Sequence, residues 1–364
     1  MLLYIGITAL LPIFYIFGVN KTKFRRAAFC ICAAIFFALL VGLRDLSVGN
    51  DTIYNSNIFK WVVTLNWSYD RISSYIEPGY YYLIKFLSLF SKDSRILLMF
   101  VAFFTYPVFF WFMYKNSKDV ILSTILFVGL QFLAMTLNTM RQSIAISFIL
   151  IGIQAFLYRR KWIPYILFCV LAFLFHRSSI VSLLFIPLFM MKGNKANITF
   201  ITIVFVLLFV AAGIIVEPIV KILHFEAYLG TDFLRGNNYA SIFNFLLSAL
   251  MLLVIYMCLK GRKEPVTNLR SPENPMPVNF LIFLAMAYAF FNLMATRFVL
   301  AERMNLYFSF IVMVGLPNVI STSTRKGNVI WKVVLIVVAI SYCAIVLAMR
   351  PEWTKVVPYK FYFN

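Results

Sequence analysis

Long apolar runs separated by short polar loops make up most of this chain. Most runs are continuous over about 14 to 21 residues, which suits a helix that crosses a bilayer. They do not alternate apolar and polar residues, so the strands of a membrane β-barrel are not expected. The pattern predicts an all-α polytopic membrane protein with about twelve transmembrane helices. We place them near residues 1–19, 27–43, 96–114, 119–136, 142–158, 162–175, 178–191, 197–216, 242–259, 277–297, 305–321 and 329–348.

The longest polar interruption, residues 44–95, contains an aromatic stretch at 77–92 that is too short to span. We interpret this stretch as an interfacial or re-entrant helix. The runs 162–175 and 178–191 are also short, and are expected to be kinked or to form a hairpin. With a second loop at 217–241 and a tail at 349–364, the chain is predicted to be a single integral membrane domain covering residues 1–364.

Composition supports the membrane assignment. Hydrophobic residues make up 63% of the chain and the mean hydropathy is +0.89. The net charge of +20 does not indicate nucleic-acid binding, because no soluble basic domain carries it. All five cysteines fall in apolar runs, without the spacing of a disulfide framework or a zinc site.

The positions of lysine and arginine predict the orientation. Every second loop is basic, and these loops hold more than half of the lysine and arginine residues. They are 20–26, 115–118, 159–161, 192–195, 260–270 and 325–332. By the positive-inside rule they are cytoplasmic, so both termini are expected on the outer, periplasmic face. The first basic cluster follows the first apolar run, which argues against a cleaved signal peptide. Lysine predominates in the inner loops and arginine on the outer face, where its planar fork suits phosphate or carboxylate.

Polar residues collect where outward-facing loops meet helix ends. Asn138, Arg141, Gln142 and Ala145 share one helix face, at an N-terminus that favours an anion. The alternative is that Asn138 caps the helix and Arg141 extends to lipid headgroups. Arg44, Arg177 and Arg303 stand at other helix ends. Arg44 and Arg303 have the simpler reading of an ion pair with the neighbouring acid.

Three residues are candidate catalytic groups. His176 is a natural general base if it lies in a wet outer cavity, or else it is a histidine fixed in a turn. Asp51 and Glu77 are candidate carboxylates, or simply a turn residue and the first residue of a helix. His224 is interpreted as structural. No metal-ligand cluster, nucleotide loop or cofactor motif is visible.

Several of these residues lie in short motifs that resemble the signatures of the EpsG family. That family belongs among the Wzy-type polysaccharide polymerases of bacteria. The motifs occur in the family's order: Gly42-Leu43-Arg44, Val48-Gly49, Asp51-Thr52 with Tyr54, Glu77-Pro78-Gly79-Tyr80, Arg141-Gln142 with Ala145, Phe175-His176-Arg177-Ser178, and Arg303 with Tyr307-Phe308.

The resemblance implies a GT-C-like membrane glycosyltransferase of the bacterial cytoplasmic membrane. It would join oligosaccharide units carried on undecaprenyl pyrophosphate, for capsule, exopolysaccharide or O-antigen, without a cofactor or metal. The four arginines would hold the pyrophosphate, and His176, Asp51 or Glu77 would take the acceptor proton. Gln142, Asn138, Tyr54 and Tyr80 would bind or orient the glycan, although interfacial anchoring is an alternative for the tyrosines. A flippase and a chain-length regulator are possible partners.

Other functions remain open at this stage. An O-antigen-ligase-like enzyme would use similar chemistry with a different acceptor. A lipid-linked oligosaccharide flippase would need charges distributed towards both faces, whereas the notable ones here cluster outside. A membrane acyltransferase would need inner loops that engage an acyl donor, and a scaffold would not need the outer arginines.

Overall fold

A computed structural model describes residues 1–67, 69, 76–159, 161–222, 238–260, 268–270 and 275–363. Helices dominate this part of the chain, as the apolar runs predict. They are α1 (Leu2–Leu10), α2 (Lys23–Gly42), α3 (Thr52–Thr64), α4 (Pro78–Leu87), α5 (Arg95–Asn116), α6 (Val120–Gly129), α7 (Phe132–Asn138), α8 (Met140–Arg159), α9 (Trp162–Phe175), α10 (Phe185–Met190), α11 (Lys195–Val210), α12 (Ala212–Ile222), α13 (Asn238–Leu259), α14 (Val278–Ala295), α15 (Ala301–Ile320) and α16 (Arg325–Met349). Short 3₁₀ segments occur at Leu11–Tyr15, Val19–Lys21, Arg177–Leu184 and Pro351–Trp353. One antiparallel ladder pairs β1 (Asn268–Arg270) with β2 (Pro275–Pro277).

Seven helices within the described residues are long and apolar enough to cross a membrane, and nine spans result if each bent helix pair counts as one. The all-α membrane class is therefore confirmed. The predicted runs 1–19, 162–175 and 178–191 correspond to shorter apolar helices, at Leu2–Tyr15, Trp162–Phe175 and Arg177–Met190. The count of twelve spans and the GT-C-like architecture stay predictions.

The predicted spans 119–136 and 197–216 are both broken. In the first, Gln131 adopts a left-handed φ of 64° between α6 and α7, and the two helices bend by 57°. This bend directs α7 and its last residue, Asn138, away from the axis of α6. In the second, α11 and α12 bend by 78°.

The helices form two compact units. The first contains residues 1–177 and 330–364, and the second contains residues 178–329. Each unit is described by itself below. The assignment of the whole chain to a single membrane domain stays a prediction.

Aromatic packing forms the interior of the first unit. α2 packs along α5, and α8 packs along α9. Phe37 of α2 stacks on Phe110 of α5 at 5.5 Å, and both rings meet Phe127 of α6 edge to face. Such edge and offset contacts add to the stability gained by burying the ring area.

One end of the first unit is held by Asp119, which caps α6. Its carboxylate accepts hydrogen bonds from Tyr15 and Asn20 and pairs with Lys332 at 2.7 Å. Arg26 donates to the carbonyl oxygens of Tyr114 and Ser117. Lys332 and residues of the basic loops 20–26 and 115–118 therefore lie together within this unit, and the predicted orientation stays a prediction.

The second unit contains a hydrogen-bonded polar group inside its helices. α14 packs against α13 and α15. Asn305 donates to the side-chain oxygen of Asn292, and Asn292 donates to the carbonyl of Asn244. Ser241 donates to Glu302, which is also hydrogen-bonded to Asn244. These hydrogen bonds give partners to polar side chains that would otherwise lie among apolar residues without one.

Candidate functional site

The site is built where the start of α4 meets the end of α9. Gly79, in the first turn of α4, lies so close to α9 that an added Cβ would be 2.7 Å from the carbonyl oxygen of Leu174. Only glycine permits this approach. It brings Glu77, the residue before α4, against His176, the residue after α9.

Glu77 lies between a histidine and an arginine. Its Oε1 is 3.3 Å from Nδ1 of His176, and its Oε2 accepts a hydrogen bond of 2.8 Å from Nη1 of Arg141, in the first turn of α8. The exposed fraction of the side chain is 6% for Glu77, 7% for His176 and 21% for Arg141. The arginine is therefore the member of this triad that reaches furthest toward the surface.

Charge pairing controls the ionisation of Glu77. Burial by itself opposes the charged form, but the hydrogen bond from His176 and the positive charge of Arg141 outweigh it. Together these effects lower the pKa of Glu77 to about 2. The carboxylate is ionised throughout the physiological range, so it is a poor proton acceptor and a strong orienting group for the imidazole.

Tyr80 connects the triad to α3. The guanidinium of Arg141 lies 5.8 Å from the centre of the Tyr80 ring, within the range of a cation–π contact. The Tyr80 hydroxyl donates to Asn55 of α3 at 2.7 Å, and Asn55 donates to the backbone carbonyl of Asp51. Tyr54 is half exposed and interacts electrostatically with Tyr80. Asp51 thus lies one helical turn from the residue that holds Tyr80.

Arg177 lies beside the triad through its hydrogen bond with Tyr69. The hydroxyl of Tyr69 donates to the carbonyl of Ile76, the residue before Glu77, at 2.6 Å. Glu77 also acts electrostatically on Tyr69. Arg141 therefore contacts the buried carboxylate directly, whereas Arg177 is connected to this region through Tyr69.

Arg44 has a different environment. It is 2% exposed, and its fork donates to the carbonyls of Val41 and Leu137 and to the hydroxyl of Thr52. These carbonyls are at the ends of α2 and α7, where no further helical N–H group is available. In this position Arg44 ties two helix ends to the loop that precedes α3.

The loop at Gly49 also needs a glycine. Gly49 has a φ of +97°, and an added Cβ would lie 2.7 Å from Oγ1 of Thr52 and 3.1 Å from Oδ1 of Asn138. Asn138 accepts a hydrogen bond from the N–H of Asn50. Asn138 thus acts here as a support for this loop.

A C-terminal segment, residues 351–363, covers the same loop. Gly49 donates to the carbonyl of Lys355, and the side chain of Asn50 donates to the carbonyl of Trp353. The backbone N–H of Asp45 donates to the carbonyl of Lys360, at a bridge between Arg44 and Phe361. The loop and this segment therefore lie at the same end of the first unit.

The remaining predicted residues are placed as follows. Gln142 is 1% exposed in α8, one residue after Arg141. Arg303 lies in the first turn of α15, in the second unit, and its place in the site stays a prediction. His224 and most of the predicted loop 217–241 lie outside the described residues.

Sequence reasoning missed helix α3 and two residues that support the triad, Asn55 and Tyr69. A signal for α3 exists, because Thr52, Asn55, Phe59 and Val62 are buried at helical spacing. In the first half of α3 the buried residues are polar, so the apolar spacing that would indicate a helix is missing there. Tyr69 has no comparable signal, because it lies in a loop.

Among the residues that the structure describes, no three His, Cys, Asp or Glu side chains form a group that could hold a metal ion. The chain is a multi-pass α-helical membrane protein whose candidate site is a buried carboxylate between imidazole and guanidinium groups, at the ends of its helices. It belongs to the EpsG family, whose sequence profile matches residues 27–361. That family is associated with polysaccharide polymerase-like proteins, which places the chain in polysaccharide biosynthesis. No curated protein and no solved structure matches it significantly.

Proposed function

We propose that this protein is a Wzy-type polymerase of the bacterial cytoplasmic membrane, with both termini on the periplasmic face. It joins oligosaccharide units that are carried on undecaprenyl pyrophosphate. The observation that carries the proposal is the Glu77 carboxylate held between His176 and Arg141. Family membership supports the reaction class, and this triad supplies groups for proton transfer and for anion binding.

In the proposed step, the hydroxyl oxygen of an acceptor sugar attacks the anomeric carbon of the donor chain. The bond between that carbon and the pyrophosphate oxygen breaks, and the new glycosidic bond forms. The hydroxyl proton passes to Nε2 of His176, and the bonding electrons leave with the lipid pyrophosphate. No nucleotide is consumed, because the sugar–pyrophosphate bond supplies the driving force.

Glu77 acts as a positioning residue for His176. Nδ1 of His176 faces the carboxylate, and in the proposed step Nε2 takes the acceptor proton. The negative charge also stabilises the imidazolium that forms when the proton arrives. Of the three proton acceptors predicted from sequence, His176 is therefore favoured. Glu77 is too acidic for this role, and Asp51 is connected to the triad only through Asn55 and Tyr80.

The pyrophosphate is assigned to Arg141 and Arg177. Arg141 is the most exposed member of the triad, and arginine binds phosphate oxygens through parallel N–H donors. Preorganised cations stabilise the charge that develops on the leaving group. Arg44, enclosed by carbonyl groups, acts in this proposal by holding the loop before α3. Arg303 is a further candidate ligand, and Tyr54 is an exposed surface for the glycan.

The test is made in the parent bacterium with the gene deleted and then restored as wild type or as a single variant. Lipid-linked glycans are extracted and sized, and their exposure outside the membrane is measured with a lectin. Single exposed repeat units without a ladder are expected from the deletion, from H176A and from R141A. Units trapped inside would indicate a flippase instead, and a full ladder left on its lipid carrier would indicate a ligase.

Protein abundance in the membrane is measured for each variant, because loss of a buried ionic group can also prevent insertion. A matched control is R297A, which removes an arginine bound to the carbonyl and ring of Phe209 in the second unit. The control is expected to keep its ladder. Normal ladders from both H176A and R141A would overturn the site assignment.

A further inference from the structure

A large apolar cavity lies between the first helical segments and α2. Its volume is about 810 Å³, and it is lined by residues of α1, the 3₁₀ turn after it and the first three quarters of α2. Arg25, at the start of α2, is the only charged residue in the lining.

Local sequence explains why the cavity is left open. α1 ends at Leu10, and Pro12 stands in the 3₁₀ turn that follows. Gly18 then takes a left-handed φ of +61° and turns the chain back towards α2. Two of the α2 residues that face the cavity, Ala28 and Ala33, are small and do not fill it.

Two cations converge at one end of the cavity. An added Cβ on Gly18 would lie 2.9 Å from Cδ of Lys21 and 3.1 Å from Nη1 of Arg25, so both side chains cover the same glycine. Arg25 donates to the carbonyl of Phe17 at 3.2 Å. Neither Lys21 nor Arg25 forms an ion pair with any residue that the structure describes. Paired cations beside an apolar cavity complement a ligand with an anionic head and a hydrocarbon tail.

We propose that this cavity binds one anionic phospholipid of the membrane. An acyl chain occupies the apolar volume, and the phosphate lies against Lys21 and Arg25. The N-terminus of α2 adds the positive end of the helix dipole. Basic pockets between membrane helices on the cytoplasmic side are suited to such headgroups, and the predicted orientation puts loop 20–26 on that side.

The position on α2 distinguishes this ligand from the substrate. Arg25 and Arg44 lie at opposite ends of the helix, about 28 Å apart at the usual rise per residue. Arg44 binds the carbonyl of Leu137, four residues before the proposed pyrophosphate ligand Arg141. The proposed pyrophosphate therefore lies towards the opposite end of α2 from Arg25. The rim is open to lipid, since Phe24 is 81% exposed and Phe17 is 63% exposed.

The test uses the full-length protein purified in a mild detergent, with bound lipids identified and counted by native mass spectrometry. We expect one phosphatidylglycerol or cardiolipin per chain in the wild type. The double variant K21Q/R25Q changes only exposed side chains. It should weaken retention of added phosphatidylglycerol about 30-fold, because each cation near a membrane surface contributes about 1 kcal/mol. A28F/A33F, which fills the cavity, should abolish stoichiometric binding.

K195Q is the matched control. Lys195 is an exposed lysine that begins α11 after a capping asparagine, Asn194, but it does not line the cavity. This variant should bind phosphatidylglycerol like the wild type. Equal binding by K21Q/R25Q and the wild type would overturn the proposal. So would stoichiometric binding of a zwitterionic phospholipid, or of an undecaprenyl lipid, in preference to phosphatidylglycerol. K21Q/R25Q retains the cavity, so it tests the proposal even if A28F/A33F does not fold.

Discussion

Glu77 in the first unit and Glu302 in the second are both enclosed by neighbouring groups, and their partners differ in kind. In the first unit, Glu77 lies against Arg141 and His176. In the second, Glu302 is hydrogen-bonded by Ser241 and Asn244, and it forms no ion pair with any described residue. Burying an ionic group is costly, and a buried ion pair often stabilises a protein less than apolar packing would. The ion-paired arrangement around Glu77 is therefore the one that needs a functional explanation, whereas the hydrogen bonds of Glu302 are explained by their role in connecting helices.

The largest effect is expected from Glu77→Gln. The substitution leaves the partly buried charge of Arg141 without its carboxylate partner and removes the orienting group from His176. The free energy of unfolding should fall by about 3 to 5 kcal/mol, and the polymer ladder should be lost. Unfolding in detergent and glycan sizing measure the two effects. A variant that keeps the wild-type ladder would show that the triad is only structural.

The pH dependence of stability sharpens the comparison. Because the folded-state pKa of Glu77 is about 2 and lies below the unfolded value, its contribution is fully present above the unfolded pKa of about 4.3. It is lost as the pH falls towards 2. The difference in unfolding free energy between wild type and E77Q should therefore be fully present down to about pH 5.5 and should shrink below about pH 4. A difference that already shrinks between pH 7 and 6 would assign the titration to another group.

A smaller effect is expected from Tyr80→Phe. It removes the hydrogen bond to Asn55 but keeps the aromatic ring beside Arg141. The free energy of unfolding should fall by about 1 kcal/mol, and polymer synthesis should slow without stopping. Initial rates of ladder formation in membranes, normalised to protein abundance, measure this. Complete loss of polymer would mean that the hydroxyl itself takes part in the reaction.

The smallest effect is expected from Glu302→Gln. An amide can replace the carboxyl group within the hydrogen bonds from Ser241 and Asn244, and no opposite charge loses a partner. The free energy of unfolding should change by less than about 1 kcal/mol, with polymer length unchanged. The same unfolding and glycan assays are used. A loss as large as that of E77Q would mean that the two buried glutamates are equivalent after all.

The helices and several members of the site could be predicted from sequence. The apolar runs and the short motifs that indicate them are formed by residues close together in the chain. Glu77, Arg141 and His176 were all predicted. Their mutual contacts were not, because these depend on the approach of Gly79 to α9. Without the contacts, Glu77 remained a possible proton acceptor; the structure gives it a depressed pKa and an orienting position.

Arg44 illustrates a different limit. A sequence shows an arginine at a helix end, but not which carbonyl groups lie within reach of its fork. Here the carbonyl of Leu137 comes from 93 residues further along the chain. The burial of Arg44 therefore follows from how α2 and α7 end side by side, which no local pattern encodes.

The C-terminal segment has a consequence for biogenesis. Asn50 bonds to Trp353, a contact that spans 303 residues of chain. Contacts of such long sequence separation form late, because the helices between them must first be in place. The loop before α3 therefore stays without its cover while the intervening helices are inserted. Quality control that senses exposed polar loops would recognise incompletely inserted chains by this loop, and the last helix to arrive would end that recognition.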